Sequence, residues 1–311
     1  MNARHVALIA LYSSRYSVRS GIGLVFLLAA LLFGLMVSHM LLQPAEKIVK
    51  MARAEGVELT TERVVERLKD SPQVRSAVDW ILGSQAASEI ADDQARRSAQ
   101  EKVRAWTAYL LDERPALLST ILLILFWGWP FVASLGAFDL FSGDVQSRGI
   151  RYHLMRADRS SIYFGRVLGA ALAQGAVLLF LVGLITTFLH FKLPFYGFGA
   201  MARWGGYGAL MMILVSLPYL ALCGWISGAI DSPFGSLTII TVVLGGVPLL
   251  AVFGEMRWEQ LGWIRYLLPW GVQLNLFQPS PVQVAGAAAA CLGYTAVFLY
   301  LGHRHFQKRD L

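Results

Sequence analysis

The stretch "GDVQSRGIRYHLMRADRSSIYFGR", residues 143–166, carries five arginines and lies between two long runs without a charged side chain. The whole chain of 311 residues is 56% hydrophobic and 15% charged, which is more apolar than a soluble domain of this size requires. A helix needs about 20 apolar residues to cross the hydrocarbon layer of a bilayer. The sequence therefore predicts an all-α polytopic membrane protein with six transmembrane helices. The charge-free stretches are 22–42, 116–138, 167–189, 205–227, 235–253 and 282–302.

The first apolar stretch, 22–42, is interpreted as a retained span rather than a secretory signal. About 20 residues precede it, it is longer than the apolar core of a signal, and no small-x-small cleavage site follows it. Residues 1–20 place apolar side chains near one side of a helix, with arginines free to stay among the headgroups, which favours an interfacial helix. A slightly long start to the first span is the alternative.

Several kinds of chemistry are excluded by simple inspection. Cys223 and Cys291 both fall inside predicted spans, so no disulfide framework or zinc motif is available. No GxxxxGK[ST] phosphate loop occurs, so nucleotide energy would have to come from another chain. We expect no catalytic, cofactor-binding or metal-binding residue in this chain, and no nucleic-acid partner.

Positive charge is shared unevenly among the short connectors between the spans. With both termini inside, the inside segments hold 11 Lys and Arg residues, whereas the short outside connectors hold four: Lys192, Arg203, Arg257 and Arg265. Segment 43–115 does not enter this comparison, because it exceeds the roughly 60 residues over which the positive-inside rule applies. The bias predicts a cytoplasmic connector and cytoplasmic termini in a cell (inner) membrane. The simplest explanation of the arginines is that they only hold this topology at an anionic leaflet.

Residues 43–115 are predicted to form a helical insertion on the outer side. Ser71 followed by Pro72 is typical of an N-cap with proline at the first helical position, and apolar residues then recur on one face. Segments near 45–55, 60–70 and 86–112 also have a helical pattern. The segment has no paired histidines and no nucleophile beside a base, so we expect it to serve packing and partner contact.

The outside connector 254–281 is rich in Trp, Leu and Pro but carries charges early, so it does not suit a full span. Interfacial tryptophan anchors are one explanation. The other is a broken, re-entrant helix, which is tolerated at membrane depth where it is buried in protein or lines a cavity. The residues predicted to form such an extracytoplasmic gate are Trp258, Trp263, Pro269 and Trp270.

The order of these parts resembles the permease subunits of type-2 ATP-binding-cassette transporters. That family has an interfacial N-terminal helix, six spans, a basic connector after the second span and a broken apolar helix after the fifth. Its connector commonly has an acidic residue, Arg and Gly followed by Thr, apolar residues, Pro-x-Ser-Arg and a closing basic residue. The matching residues here are Asp144, Arg148, Gly149, Leu154, Met155, Asp158, Arg159, Ser160, Gly165 and Arg166. Ile150 stands where Thr is usual, and Ala157-Asp158-Arg159 stands where Pro-x-Ser-Arg is typical, so the match is in layout rather than in every letter.

The resemblance implies a role for residues 139–166, here called the connector. In such permeases it forms a coupling helix that docks on a separate ATPase subunit, and two permease copies act together. For this chain the resemblance implies a homodimer that exports an unidentified cargo. It implies that no cofactor binds this chain, since ATP is bound by the partner. The residues expected to couple are Asp144, Arg148, Gly149, Arg151, Arg156, Asp158, Arg159 and Arg166.

Two other functions are left open. The stretch "GWISG", 224–228, is similar to the serine motif of rhomboid proteases, but Trp225 takes the place of a glycine and no histidine lies deep in a later span. A non-transport complex that transmits force or senses a signal through the 43–115 insertion is the second alternative.

Ionisable and small residues inside the predicted spans bear on cargo and packing. Only His39 and Gln174 are candidates for an intramembrane polar role, which disfavours a proton-coupled carrier. Pro218 and Pro248 are predicted to bend their helices. Two four-residue repeats of small residues predict close helix packing within the subunit: Gly165, Gly169 and Ala173, and Ala285, Ala289 and Gly293.

Overall fold

The computed structural model describes residues 2–19, 21–54, 93–192, 196–257 and 259–309. Across these ranges the chain is helical and forms no strand. A π-helical turn, Tyr109–Glu113, precedes α4, and 3-10 helices cover Glu259–Leu267 and Leu274–Phe277. The α-helices are α1 (Ala3–Arg19), α2 (Gly21–Ala54), α3 (Asp93–Ala108), α4 (Ala116–Leu135), α5 (Ser142–Gln146), α6 (Ile150–Leu154), α7 (Arg159–Lys192), α8 (Phe198–Ala229), α9 (Pro233–Arg257), α10 (Trp270–Gln273) and α11 (Pro281–Lys308).

Within the described residues six helices are long and apolar enough to cross a membrane, as the sequence predicts, and the chain is a multi-pass helical membrane protein. Their apolar segments are Gly21–Gln43, Ala116–Leu135, Arg159–Lys192, Phe198–Ala229, Pro233–Gly254 and Pro281–Lys308. The helix that contains the third span begins at Arg159, eight residues before the predicted span start at 167. Its 34 residues give a length of about 50 Å, against about 30 Å for the hydrocarbon core. The charged first two turns therefore extend beyond the apolar layer.

The helix α4 forms the centre of the bundle, and most of its side chains are buried. Trp129 is fully buried and donates its indole N–H to Ser216 Oγ of α8 at 2.8 Å. Near the other end of α4, Trp204 Nε1 of α8 donates to Ser119 Oγ at 2.9 Å. These two bonds satisfy buried polar groups that would otherwise destabilise an apolar core. In contrast, few of the side chains of α9 and α11 are buried.

The glycine repeat of α7 receives the N-terminal helix α1, which is separate from α2. A Cβ on Gly165 would lie 2.8 Å from Ile9 Cβ, and one on Gly169 would lie 2.6 Å from the Ala10 carbonyl oxygen. No larger residue fits without displacing α1, so the predicted close packing within the subunit is confirmed for this repeat. The second repeat, on α11, differs: Ala285, Ala289 and Gly293 are exposed on its surface.

The described parts of the predicted insertion are helical. The first spanning helix α2 continues past Gln43 to Ala54, and α3 occupies Asp93–Ala108 within the predicted helical segment 86–112. Trp106 of α3 donates its indole N–H to the Phe277 carbonyl at 2.9 Å, which ties this region to the segment before α11. The predicted helix start at Ser71 and Pro72 lies outside the described residues.

Both described ends of the chain meet at the start of α7. The Asn2 amide donates to Ser161 Oγ at 3.2 Å, and Arg159 Nη1 donates to the Arg309 carbonyl at 2.7 Å. An even number of spans requires the two ends to share one side, and they do so at the end of the bundle that carries the connector. This end is called the connector end below.

Candidate functional site

The connector is a folded element that is anchored to three spanning helices. Phe141, Ile150, Tyr163 and Phe306 are fully or almost fully buried in one apolar cluster, called the connector cluster here. The rings of Phe141 and Tyr163 stack with centroids 5.3 Å apart. Because its members come from the connector, α7 and α11, the cluster fixes the position of α6 relative to both helices.

Ser227 adds a polar anchor from α8. Its hydroxyl accepts the backbone N–H groups of Phe141 and Ser142 at 2.9 and 3.1 Å, and it also donates to Ser142 Oγ. This serine belongs to the "GWISG" stretch that suggested a protease alternative. The hydroxyl is buried and is engaged by the connector backbone, and its hydrogen-bond partners within the described ranges include no histidine. This geometry favours a structural role for Ser227.

Arg166 and Asp144 form an ion pair between α7 and α5. Arg166 also donates to the Leu140 carbonyl at 2.7 Å, and its guanidinium lies 5.6 Å from the Phe141 ring centroid. Three groups of the connector thus surround one half-buried cation. The pair closes the connector onto α7, so these two predicted coupling residues are brought together by contacts within the chain.

Arg159 binds the C-terminal end of α11. Its Nη1 donates to the carbonyls of Gln307 and Arg309 at 2.8 and 2.7 Å. A helix leaves its last carbonyls without intrahelical partners, and a cation there satisfies them and complements the helix dipole. Arg309 in turn pairs with Asp231 after α8. The connector end is therefore held together by arginines that join α7, α8 and α11.

Asp158 caps the first turn of α7. Its carboxylate accepts the Ser161 amide at 3.2 Å and the Ser161 hydroxyl at 2.7 Å, the arrangement of an N-cap residue. Hydrogen bonding from the Ser161 hydroxyl lowers the pKa of Asp158. The residue that sequence analysis assigned to docking is thus used to start α7.

The remaining predicted cations face solvent. Arg148, Arg151 and Arg156 are exposed and form no ion pair with another residue in the described ranges. Between them, Tyr152 and Met155 are 71% and 74% exposed. We call Arg148, Arg151, Tyr152 and Met155 the outer face of the connector. Tyr152 is not among the residues predicted from the sequence, although helical spacing offers a signal, since Ile150 and Leu154 lie four apart on the opposite, packed side.

The turn between α5 and α6 places Arg148 in a left-handed backbone conformation, with φ of 58°. For a residue with a Cβ this conformation carries a cost of about 1–2 kcal/mol. The adjacent Gly149, which the family pattern singles out, has ordinary right-handed φ of −62°. The strained position presents its long cationic side chain to solvent, and backbone strain of this kind often marks functional segments.

A cavity of about 880 Å³ lies behind the connector, among α1, the start of α2, the end of α4 and α7. Asp139 lines it and accepts the Gly143 amide at 2.6 Å and the Ser142 hydroxyl at 3.2 Å. Burial raises the pKa of Asp139 above its usual value. Asp139 is not predicted from the sequence as a site residue, because nothing local distinguishes it from a solvated turn residue.

The residues predicted to form the extracytoplasmic gate are, like those of the connector, partly exposed and partly buried. Trp263 is 59% exposed in a 3-10 helix, Trp270 is half-buried at the start of α10, and Pro269 precedes it. Trp258 lies outside the described residues. The following residues are packed against the bundle: the Phe277 ring meets Phe126 of α4 edge-on at 4.9 Å. The segment is a broken helix of which one part is buried in protein.

No group of three or more His, Cys, Asp and Glu residues in the described ranges is arranged to hold a metal ion. Both cysteines are buried and unpaired. Compared with models of known protein families, the chain matches none, and no curated protein matches it. What is observed is therefore a six-helix membrane bundle with an anchored connector that presents a basic and apolar outer face at one end.

Proposed function

We propose that the chain is the permease subunit of a type-2 ATP-binding-cassette transporter, acting as an exporter with ATP hydrolysed by a separate ATPase subunit. The observation that carries this proposal is the outer face of the connector. Two cations and two apolar side chains are exposed together on an element whose other side is buried in the connector cluster. Exposed apolar groups flanked by charge are typical of an interface with another protein.

The anchoring of the connector supports force transmission. A segment that transmits movement from a partner must be fixed to the helices that it moves. The connector is bonded to α7 through Arg166 and to α8 through Ser227, and it packs against Phe306 of α11. A push on the outer face would therefore reach three spanning helices directly.

The charge of the outer face indicates the chemistry of the partner. With Arg148 and Arg151 exposed, an acidic groove with an apolar floor is complementary, and rim charges of this kind contribute mainly to the rate and orientation of docking. In this proposal the connector end is cytoplasmic, the membrane is a cell inner membrane, and two copies of the chain form a homodimer with two ATPases.

A mechanotransmission or sensing complex is the second candidate, and α2 favours it. This helix extends 11 residues beyond the apolar segment that ends at Gln43, which corresponds to about 16 Å. On the same side Trp106 bonds the Phe277 carbonyl. Helices projecting from the bundle would pass movement to a partner on the side opposite the connector.

The test is copurification of the full chain with its ATPase, followed by hydrolysis assays in nanodiscs. The double variant Arg148→Glu/Arg151→Glu is expected to lower the ATPase rate at least tenfold and to reduce copurification. Its matched control is Arg304→Glu/Lys308→Glu, which makes the same charge change on exposed residues of α11 at the connector end. Equal losses in both variants would show that charge alone, rather than the outer face, is responsible.

Two further readouts separate the candidates. Stimulation of the ATPase by amphipathic small molecules is expected of an exporter, whereas stimulation only by a protein on the opposite side is expected of mechanotransmission. A complex whose mass contains one copy of this chain would contradict the homodimer. Labelling of a cysteine placed at position 151 from outside the cell would contradict the cytoplasmic connector and, with it, the whole proposal.

A further inference from the structure

The cavity behind the connector extends from the polar connector end into the apolar part of the bundle. Its lining residues on α7 run from Arg166 to Val177, which corresponds to about 16 Å along the helix. At one end the wall is formed by polar residues of the connector. At the other end it includes Leu24 and Leu27, which belong to the apolar segment Gly21–Gln43 of α2. A ligand that fills the cavity is therefore amphipathic.

The cavity is closed toward the centre of the bundle and open at the edge formed by α1 and α2. Phe26 is 5% exposed, and its Cγ would lie 3.0 Å from a Cβ on Gly136, so α2 and the end of α4 are in close contact there. At the open edge Tyr12 and Leu24 are 67% and 54% exposed. Because Leu24 lies in an apolar segment that spans the membrane, this edge faces the hydrocarbon layer. A membrane lipid reaches the cavity directly from the bilayer.

Both carboxylates that line the polar end have partners within the chain. Asp144 is paired with Arg166, which also donates to the Leu140 carbonyl at 2.7 Å. Asp139 accepts the Gly143 amide at 2.6 Å. These acids and Arg166 therefore hold the connector in its fold.

The other basic groups of the polar end are less engaged. Arg156 lines the cavity, is exposed and forms no ion pair in the described ranges. It differs in this respect from Arg148 and Arg151, which belong to the outer face. His5 of α1 and His153 of the connector line the cavity from two different elements, and His153 Nε2 is 3.9 Å from Asp144. The remaining polar side chains at this end are the hydroxyls of Ser13 and Ser147.

We propose that the cavity binds a membrane phospholipid, with its phosphate at Arg156 and His5 and the adjoining part of one acyl chain along the apolar face of α7. Phosphate oxygens accept hydrogen bonds and pair well with a guanidinium group. Basic pockets between spanning helices at a membrane surface are typical sites for phospholipid headgroups.

The size of the cavity fits part of a lipid. At about 880 Å³ it lies within the roughly 300–1,000 Å³ of pockets that hold drug-sized ligands. The phosphate and part of one chain enter, and the rest of the lipid stays in the bilayer beyond the open edge. The inference concerns binding by this chain alone and does not rest on the transport function.

The experiment uses the purified full chain, without an ATPase, stripped of lipid in detergent and titrated with dioleoyl phosphatidylglycerol. Native mass spectrometry measures the fraction of chains that carry one lipid. We expect the first phospholipid to bind about tenfold more tightly than dioleoylglycerol, which has the same acyl chains and no phosphate. Glycerol 3-phosphate, which has the phosphate and no chain, should not displace it. Equal binding of the two lipids, or displacement by glycerol 3-phosphate, would overturn the proposal.

Two arginine variants test the position of the phosphate. Arg156→Gln should weaken phospholipid binding about fivefold and leave dioleoylglycerol binding unchanged. Arg151→Gln removes the same charge from the outer face and should leave both unchanged. Equal losses in the two variants would show a general attraction between the headgroup and a basic connector, and would contradict the proposal.

Two alanine variants test the position of the acyl chain. Ala173 lines the cavity, whereas Ala176 is exposed on another side of α7. Ala173→Phe should fill the cavity and abolish phospholipid binding, and Ala176→Phe should leave it unchanged, with thermal unfolding midpoints measured for both. Unchanged binding in Ala173→Phe would place the lipid elsewhere and contradict the proposal. If Ala173→Phe does not fold, the arginine pair decides the question, since both of its side chains are exposed.

Discussion

Two pairs of arginines on the connector have opposite surroundings. Arg159 and Arg166 bind carbonyls and a carboxylate of their own chain, whereas Arg148 and Arg151 lie exposed on the outer face. In the sequence the four are alike in residue type and in neighbourhood. Local density of positive charge therefore reports that a segment stays out of the membrane, and it does not tell which cations hold the fold together and which remain available to a partner.

The difference follows from which helix each residue belongs to. Arg159 and Arg166 lie seven apart on α7, about two turns, so both are held beside helices that pack on it. Arg148 and Arg151 lie at and just after the α5–α6 turn, on the side away from the connector cluster. We expect substitutions in the first pair to change stability and those in the second to change docking.

The largest expected effect is that of Arg166→Leu. It leaves Asp144 without its cation and the Leu140 carbonyl without its donor, and breaking one partner of a half-buried pair should lower the free energy of unfolding by about 2–3 kcal/mol. The loss of stability is measured by heating the protein and monitoring the folded fraction by size-exclusion chromatography. Arg151→Leu, the exposed counterpart, should stay within about 0.5 kcal/mol of the parent chain.

Replacing Asp144 as well tests whether the pair is the cause. The double variant Asp144→Leu/Arg166→Leu removes both charges, so it should recover part of the loss seen in Arg166→Leu, as expected for coupled neighbours in a double-mutant cycle. Losses that simply add would mean that the two residues act independently, and the distinction between the two arginine pairs would then fail.

The apolar part of the outer face is expected to have an intermediate effect, on docking alone. Truncating a large side chain in the centre of an interface commonly weakens binding by about 1–2 kcal/mol. If the proposed ATPase subunit docks here, Tyr152→Ala should raise its dissociation constant about tenfold, measured by titration in nanodiscs, with an unchanged unfolding midpoint. Tyr16→Ala on α1 removes a similarly exposed tyrosine and should leave ATPase binding unaltered. If Tyr16→Ala weakens binding equally, the outer face is not the docking surface.

The sequence predicts the six spans because a charged side chain is unfavourable anywhere inside the hydrocarbon layer. A long stretch without charged residues therefore marks a span. The same rule does not locate the start of the helix α7, which lies ahead of the charge-free stretch. On its N-terminal side the charge-free stretch ends at Arg166. The helix nevertheless continues to Arg159, because Arg159 and Arg166 both donate to carbonyl oxygens.

The site is less predictable because its contacts join residues that are far apart in the chain. The glycine repeat of α7 predicts a close neighbour but does not identify it as α1. Asp139 and Gln174 come from the segment after α4 and from the middle of α7, and only the packing of those helices makes both of them line one cavity. The partner of Arg159 is the end of α11, about 150 residues away. No local spacing carries that information.

The smallest expected effect is that of substitutions at Arg148, which distinguish the cost of backbone strain from the contribution of the side chain to docking. Arg148 has φ of 58°, a conformation that glycine adopts without the steric cost of a Cβ. Arg148→Gly should raise the free energy of unfolding by about 0.5 kcal/mol, since relief of strain exceeds the extra flexibility of the unfolded chain. Arg148→Ala keeps the Cβ and should show no such gain.

Both substitutions remove the same charge from the outer face, so both should weaken ATPase binding by the same small factor, about threefold for one rim charge. The two variants would then differ in free energy of unfolding but bind the ATPase equally well. That result is not expected if the Arg148 side chain is held by contacts within its own chain. Equal stabilities in the two variants would show that the left-handed turn is absent in solution. Unchanged binding in both would remove Arg148 from the outer face and leave Arg151 as its only docking cation.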